Sequence, residues 1–590
     1  MRVSQLLGIT LRQTSQDAEL ISHQLLLRGG YIRSLAAGIF SNLHLGLRSL
    51  EKIERILKDE MNAIGGVEVS MPVVHPADIW QKTGRYEAID ASLARFHDRT
   101  DRSMVLAMTH EEVVGSLAAK EISSYKQLPK LIYQIQTKFR DELRSRGGLI
   151  RVREFRMKDS YSMDSSWEGL QAQYEAHYDA YFRMMARLGL PVAAVKSDVG
   201  MMGGRMAHEF MYLSPIGEDS IFICSASGKK ANKEVAQIGK AKPAAAEAKA
   251  LEKVLTPGVK TIQDLAAFLE VPTSETAKAV FFWASHQDWE SDRLVIAMVR
   301  GDLDVNEVAV KNRIQVEHMR VAQEEEIRAV GCVPGFASPY QIDREKTIVI
   351  IDDLVAETPN LVGGANETDY HFLNMNHGRD FEADIVADIT EVYDQASSPY
   401  GGTWQLYRGV EVGNIFQLGT KYTEAFDAHF MDEGGRPQPI IMGSYGIGVG
   451  RLLACLAEEY HDEHGLMWPV SVAPYEIQLV SLADGEATIE AAEQLYDRLV
   501  QAGFEVLYDD RPKKVAGPGV KFKDADLRGM PIRLTVSSKT LAENAVEFKL
   551  RAGTERRMVP MGEIEATLAQ ARAGLWHSLE KGLAGAETWA

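Results

Sequence analysis

In LIYQIQTKFRDE, strand periodicity places Tyr133, Ile135, Thr137 and Phe139 on one face and Gln136, Lys138, Arg140 and Glu142 on the other. A turn at Arg146-Gly147-Gly148 follows. The returning segment RVREFRMKDSYSM then sets Arg151, Arg153, Phe155, Met157 and Asp159 on a common face by the same parity. Guanidinium groups suit phosphates, a carboxylate accepts from an exocyclic amine such as that of adenine, and an aromatic plane stacks on a base. The hairpin is therefore suited to a nucleotide. A salt-bridged surface hairpin would have the same spacing, and parity alone does not separate the two.

A second chemical segment, PIIMGSYGIGVGRLLACLAE, reads as a strand, a glycine-rich turn and a helix starting near Arg451. Gly446, Gly448 and Gly450 do not have the GxGxxG spacing of a dinucleotide loop, so they read as permitting close packing against a ligand or strand, with Arg451 free to meet a phosphate. His110 and Glu111 in MTHEE lack the second histidine of HExxH, which excludes a zinc-protease reading. In LVGGANETDYHF a glycine turn offers backbone donors ahead of His371, which fits either an ester-binding site or a strand histidine at a loop margin.

These segments need elements to position them. An amphipathic helix carries Leu50, Ile53, Leu57, Met61 and Ile64 and stops at Gly65-Gly66; the strand after it is expected to end at Pro72, an edge able to meet a second subunit. The 590 residues exceed one core, and 45% hydrophobic with 25% charged content is that of a soluble globular protein. No apolar run spans a bilayer and no secretory signal opens the chain, so a cytoplasmic location with no membrane partner is expected. Three scattered cysteines without a CxxC pair support neither a disulfide framework nor a zinc site. A formal charge of -18 argues against bulk coating of nucleic acid.

Compositional breaks divide the chain. The Lys/Ala-rich stretch 229–253 reads as a solvated connector or short exposed helix, QASSPYGGT as an interdomain loop, and WPVSVAP as the start of a new unit. The expected organisation is a first domain at 1–228 resumed at 395–471, an insertion of about 150 residues at 229–394, and a terminal unit at 472–590. IQLVSL, AAEQLYDRLVQAG, FEVLYDD, PIRLTVS and AVEFKL make that last unit α/β. Within it Arg511, Lys513, Lys514, Lys521, Lys523, Arg528 and Arg533 form a basic interval, suited to phosphate or simply a solvated face.

MPVVHPADIWQKTGRY, MTHEEV, FRDELRSRGGLIRVREFRMKDSYSM, GGRMAHEFM, RGVEVGNIFQLGTKY and MGSYGIGVGR together resemble the three motifs of class II aminoacyl-tRNA synthetases, in order, and specifically the bacterial prolyl type over essentially the whole chain. The resemblance implies an α+β and α/β multidomain fold: an antiparallel catalytic sheet with flanking helices, an inserted α+β editing domain and a C-terminal α/β anticodon-binding domain. It also implies a homodimer formed near Pro72, with ATP, L-proline and tRNA(Pro) as partners, Mg2+ accompanying ATP, and no zinc. By resemblance, Arg140 and Arg451 are catalytic. Arg140 addresses the α-phosphate and the proline carboxylate, Glu142 reads adenine, Phe155 stacks on it, and Arg151 and Arg451 meet the distal phosphates. Thr109 and Glu111 take the proline nitrogen, His208 closes the pocket, Met157 lines it, and Ser444 joins the set where the family often has cysteine. Arg511, Lys513, Lys514 and Lys521 are expected to contact tRNA.

A proline pocket admits alanine, and a missing methylene is worth only about 1–3 kcal/mol of discrimination. The insertion, through ETAKAVFF, IVIIDDLV and LVGGANETDYHF, resembles the domain that hydrolyses alanyl-tRNA made in error, pointing to Lys278, Asp352 and His371. Asn414 stands where the family often has histidine, and no role is assigned to it. Two rivals stay open: a threonine-type relative, disfavoured by the missing motif cysteine, and a catalytically silent paralogue acting on RNA, disfavoured by the intact Arg140, Glu142, Phe155 and Arg451.

Overall fold

The computed structural model describes residues 1–13, 18–286, 289–316 and 318–584. They form two compact units, one made of Met1–Ala194, Val199–Glu218 and Gly409–Ala590, the other of Val195–Asp198 and Asp219–Arg408. The second is thus an insertion whose contact boundaries lie outside the expected 229–394 on both sides. Among the described residues no helix is long and apolar enough to cross a membrane.

The site elements are α1 (Arg85–Ala88), α2 (Glu111–Glu121), β1 (Lys130–Phe139), β2 (Glu154–Asp164), β3 (Trp404–Gly419, of which the part from Gly409 belongs to the first unit), β4 (Ile441–Gly448) and α3 (Val449–Glu459). The strand Met206–Leu213, β3, β4, β2 and β1 lie side by side and antiparallel, and the short strand Val67–Glu68 closes the edge parallel to β1. This is the antiparallel sheet with flanking helices that the resemblance implies. Gln136 faces Met157 and Lys138 faces Phe155 in the hairpin, the register that strand parity requires. Tyr181, Tyr445 and Leu453 belong to the core on one side of the sheet, while Val114, Tyr161 and Tyr422 belong to a smaller cluster.

The amphipathic helix spans His44–Ala63, with Leu50, Ile53, Leu57 and Met61 buried. The following strand stops at Glu68, four residues before the expected Pro72, and Pro72 is exposed. Side chains take over from the ladder: Met71 N–H donates to Gln134 Oε1 at 2.9 Å, and Gln136 Nε2 donates to the Met71 carbonyl at 2.8 Å.

The C-terminal part of this unit is a five-stranded sheet ordered Val506–Asp509, Ile477–Ser481, Ile532–Val536, Ala545–Leu550, Arg557–Pro560, with helices Glu486–Gln501, Pro518–Arg528 and Ile564–Ala584. Its first three strands are parallel and its last two antiparallel. The basic interval separates on folding. Lys521 is fully buried, its Nζ donating to the carbonyls of Ser481 (2.7 Å), Asp509 (3.2 Å) and Arg511 (2.5 Å). Arg511 is clamped by Asp509 and Asp524, at 2.6 and 2.9 Å. Lys521 is therefore a structural lysine, not a phosphate contact, because its three protons are already satisfied away from solvent. Lys513 and Lys514 are exposed.

The inserted unit pairs His318–Val321, Ala277–Ser285, Arg293–Arg300, Thr347–Ile351 and Ile385–Val386 in one sheet and Glu252–Leu255, Tyr370–Met375 and Leu361–Gly364 in another. Arg293–Arg300 is apolar on both faces because two clusters cover it: Leu294, Ile296 and Met298 pack in one, Val295, Ala297 and Val299 in the other. The Lys/Ala-rich stretch contains no helix. Lys240 fastens it, with Nζ 2.5 Å from Asp352 and Asp353 and 2.7 Å from Asp388.

Candidate active site

A cleft opens over β2 and β4 and is lined by Arg140, Glu142, Arg151, Phe155, Met157 and Arg451, among others. β1 ends at Phe139 and β2 begins at Glu154; beyond the strand, Glu142 N–H closes a tight turn onto the Arg140 carbonyl at 2.7 Å, and both side chains line the cleft. Arg140 lies over the Phe155 ring, 5.2 Å from its centroid, and its Nε and Nη2 reach the Met108 carbonyl at 3.4 Å. Burial lowers the pKa of its guanidinium, Glu411 opposes the shift, and Arg451 adds to it. Two cations are thus held close together, an arrangement that an anion between them would stabilise.

Arg451 sits in the first turn of α3. Its Nε donates to the Ile150 carbonyl at 2.9 Å and its Nη1 to the Glu411 carbonyl at 2.5 Å. Glu142 and Arg151 are paired at 2.7 Å, and Glu218 holds Arg151 from behind at 3.1 Å. Arg153, on the same parity, instead fastens the turn through the Glu142 carbonyl at 3.1 Å. Gly450 lines the cleft, and a Cβ built there would meet no protein atom within 4 Å. A side chain at that position would project into space the cleft leaves for a ligand.

Sequence reasoning missed Glu411 and passed over Asn414, and both line this cleft. Asn414 Nδ2 donates to Glu411 Oε1 at 2.8 Å, which leaves Glu411 Oε2, 3.6 Å from Arg451, toward the cations. No period-two signal marked the pair, because a register shift between Glu411 and Gly413 brings Glu411 to the side of Asn414, while Ile415 turns into the core. Magnesium is commonly held by one or two carboxylates together with substrate phosphates. Among the described residues no group of three or more His, Cys, Asp or Glu could cage a metal ion.

Beyond Arg140 lies a second set. Thr109 donates its hydroxyl to Glu111, and Ser444 Oγ donates to the other Glu111 oxygen at 2.8 Å. Both glutamates of MTHEE are buried in the first turn of α2, where the helix dipole favours negative charge. His110 Nε2–H donates to the Pro72 carbonyl at 2.9 Å. His75 does the same, its tautomer set by Trp80 Nε1–H donating to Nδ1 at 3.2 Å. Burial, with Lys138 and His75 nearby, lowers His110 to about 3, so it is neutral. One carbonyl thus ties MPVVHP to MTHEE. Asp159 lies below, gathering Lys138 (2.8 Å), Gln134 (2.9 Å) and Tyr161 (2.8 Å).

His208 lies on Met206–Leu213, not among the residues lining the Arg140 cleft, with Nδ1 2.6 Å from the Tyr174 hydroxyl. Met157 lines that cleft opposite Gly448.

A separate cavity occurs within the inserted unit, with Lys260, Leu265, Lys278, Phe336, Gly364 and His371 in its wall. Lys278 is on the strand Ala277–Ser285, not on a helix, and pairs with Asp304. His371 accepts or donates at Nδ1 to Thr256 Oγ1, 2.7 Å away, and burial lowers it to about 4. A Cβ at Gly364 would fall 2.3 Å from the Phe336 backbone, so glycine is what lets that wall close. Asp352 is not in this wall. It N-caps the helix Asp353–Glu357 by accepting from Leu354 N–H at 3.0 Å, and it is salt-bridged to Lys240. That placement corrects its grouping with Lys278 and His371: both of its oxygens serve the helix end and the connector.

Residues 94–460 match the tRNA synthetase class II core domain (G, H, P, S and T), and residues 470–571 match an anticodon binding domain. The chain is 48% identical over 580 residues to the proline–tRNA ligase of Salinispora tropica, covering 98% of this chain and 97% of that protein. It is 47% identical to that of Dehalococcoides mccartyi (96% and 98% covered) and 46% identical to that of Geobacillus kaustophilus (96% and 99%). In fold it is similar to the prolyl-tRNA synthetase of Cryptosporidium parvum complexed with L-proline and AMP, with a TM-score of 0.56 at 13% identity, over 97% of this chain and 80% of that one.

Proposed function

From the premise that this chain belongs to the proline–tRNA ligases, we propose that it activates L-proline with ATP in the Arg140 cleft and transfers the prolyl group to tRNA(Pro). The observation that carries this reading is the position of Arg140, stacked on Phe155 on one side and reaching Met108, next to Thr109 and Glu111, on the other. Phe155 and Glu142 take the adenine ring and its amino group. Arg140 and Arg451 take phosphate. Thr109, Glu111 and Ser444 take the proline nitrogen. Met157 lines the nucleotide side.

In the first step a carboxylate oxygen of proline attacks the α-phosphorus. An O–P bond forms, the bond to the bridging oxygen breaks, and pyrophosphate leaves with its electron pair. No proton moves, so the protein contributes alignment and positive charge. In the second step a ribose hydroxyl of tRNA attacks the prolyl carbonyl, loses its proton and displaces AMP. Magnesium bound with ATP supplies charge neutralisation at the phosphates, and Glu411 is the side chain that would hold it. Arg140→Ala should lose proline-dependent pyrophosphate exchange; exchange near the wild-type rate would refute the assignment.

The remainder of the reading follows the same family. The segments 1–228 and 395–471 serve as catalytic domain and 472–590 binds the anticodon stem, with Lys513 and Lys514 as exposed phosphate contacts. The enzyme works as a cytoplasmic homodimer through the edge near Pro72. The insertion 229–394 edits alanyl-tRNA(Pro) in the cavity walled by Lys278 and His371. Support for editing is a partly open cavity with a neutral histidine in its wall, a group able to orient an ester without repelling an ammonium. His371→Ala should slow alanyl-tRNA deacylation; unchanged hydrolysis would remove His371 from that role.

A further inference from the structure

Arg85 lies near the end of the segment MPVVHPADIWQKTGRY but has been given no role of its own, yet it is buried beside the two most enclosed carboxylates of the amino-acid pocket. From α1 its Nη1 donates to Glu112 Oε1 at 2.8 Å and stops 3.6 Å short of Glu111 Oε2. Thr83 Oγ1 adds a bond to the same Glu112 oxygen at 3.1 Å. The guanidinium is held over Trp80 and Tyr422, 5.1 and 5.6 Å from the ring centroids. Glu111, by contrast, accepts only the neutral hydroxyls of Thr109 and Ser444.

Two adjacent buried carboxylates repel each other and lose hydration, and a single cation placed between them has to be shared or assigned. Here the short hydrogen bond goes to Glu112 at 2.8 Å, and Glu111 keeps only the longer ion-pair contact at 3.6 Å. We propose that Arg85 is a positioning residue that neutralises Glu112, so that Glu111 alone presents its charge to the secondary ammonium of proline. The inference rests on Glu111 being the group that takes the proline nitrogen.

Burial alone would lower the Arg85 guanidinium, but Tyr422, Glu112 and Glu111 more than offset it and hold its pKa above the ordinary value. Burial raises Glu112, and Arg85 opposes that shift. The other titratable groups facing the pair are Lys421 and Tyr422 from the helix Lys421–Ala425, Lys138 and Arg140 from β1 and its end, Tyr161 from β2, and the neighbouring His110. Lys421 feels the charge of both glutamates, and the direct ion pair to Glu112 is made by Arg85.

The test is proline-dependent pyrophosphate exchange with purified full-length variants, read as separate KM values for proline and ATP. Arg85→Met should raise the proline KM at least about tenfold with the ATP KM within about twofold. That proline KM should climb further as pH falls from about 8 to about 6.5, because one of two unneutralised buried carboxyls takes up a proton. Arg85→Lys should recover part of the loss. The double variant Arg85→Met/Glu112→Gln, which removes both charges, should return the proline KM to within about threefold of wild type and flatten the pH dependence.

Glu112→Gln alone frees Arg85 to turn toward Glu111 and compete with the substrate, so its proline KM should rise without the pH dependence. This variant decides the matter if Arg85→Met does not fold. An unchanged proline KM in Glu112→Gln, or a double variant no better than Arg85→Met, would overturn the proposal. Glu111→Gln separates the two levels. If it leaves the proline KM unchanged, the premise about Glu111 fails; if it raises the KM while the Arg85 and Glu112 variants behave as wild type, only the positioning role fails.

Discussion

Glu142 and Arg151 hold each other through two hydrogen bonds, from Arg151 Nε and Nη2 to the same Glu142 oxygen at 3.0 and 2.7 Å. The groups assigned to opposite ends of a nucleotide are therefore joined to each other across the cleft mouth. A half-exposed pair of this kind is worth about 0–1 kcal/mol, little enough for an incoming nucleotide to exchange. Glu142→Gln keeps the shape but weakens both the pair and the adenine contact. The ATP KM should rise roughly tenfold with the proline KM unchanged, as steady-state pyrophosphate exchange would measure.

Gly450 gives a prediction with opposite signs for stability and activity. It lies in the first turn of α3 with no protein atom near the position of a Cβ. Gly450→Ala should leave stability unchanged or raise it by up to about 1 kcal/mol, since alanine is the better helix former. The same methyl group enters the cleft and should weaken ATP binding. Thermal unfolding and nucleotide titration on one preparation check both halves.

Lys521 and Lys513 differ only in where folding put them. Lys521→Met strands three carbonyls and Asp509 without their buried cation, and should cost about 3–5 kcal/mol in urea unfolding. Lys513→Ala, at an exposed position, should fall within about 0.5 kcal/mol of wild type. If Lys513 contacts tRNA, its substitution should raise the tRNA KM and reduce the salt dependence of binding.

His110 predicts a pH dependence of stability. Its folded pKa, about 3, lies below the ordinary histidine value of 6.5 because of burial and the nearby Lys138 and His75. Between these values the unfolded chain binds a proton that the folded chain does not. The contribution is therefore fully present above about pH 6.5 and is lost as pH falls toward 3, amounting to about 2 kcal/mol by pH 5. His110→Gln, which cannot titrate, should lose less stability than wild type between pH 7 and pH 5 in parallel denaturant melts.

Much of the nucleotide cleft was legible in the linear chain because strand parity is a local property. Once LIYQIQTKF and EFRMKDSYSM are strands joined by a turn, the side on which Arg140, Phe155 and Met157 lie follows from a period of two. The C-terminal strands and the helix Glu486–Gln501 were legible for the same reason, through local alternation and a glycine stop.

Tertiary structure decided what depends on partners distant in sequence. Lys521 and Lys513 sit in one basic run, but only the packing of Pro518–Arg528 against Ile477–Ser481 shows that Lys521 is spent on backbone carbonyls. The sequence groups Asp352 with Lys278 and His371, yet a lysine more than a hundred residues earlier claims it as an anchor. Arg85 and Glu112 are 27 residues apart and meet only when α1 folds against α2. The charge on a side chain is written in the sequence; whether that charge faces solvent, a substrate or another buried charge is set by which surfaces the folded chain brings together.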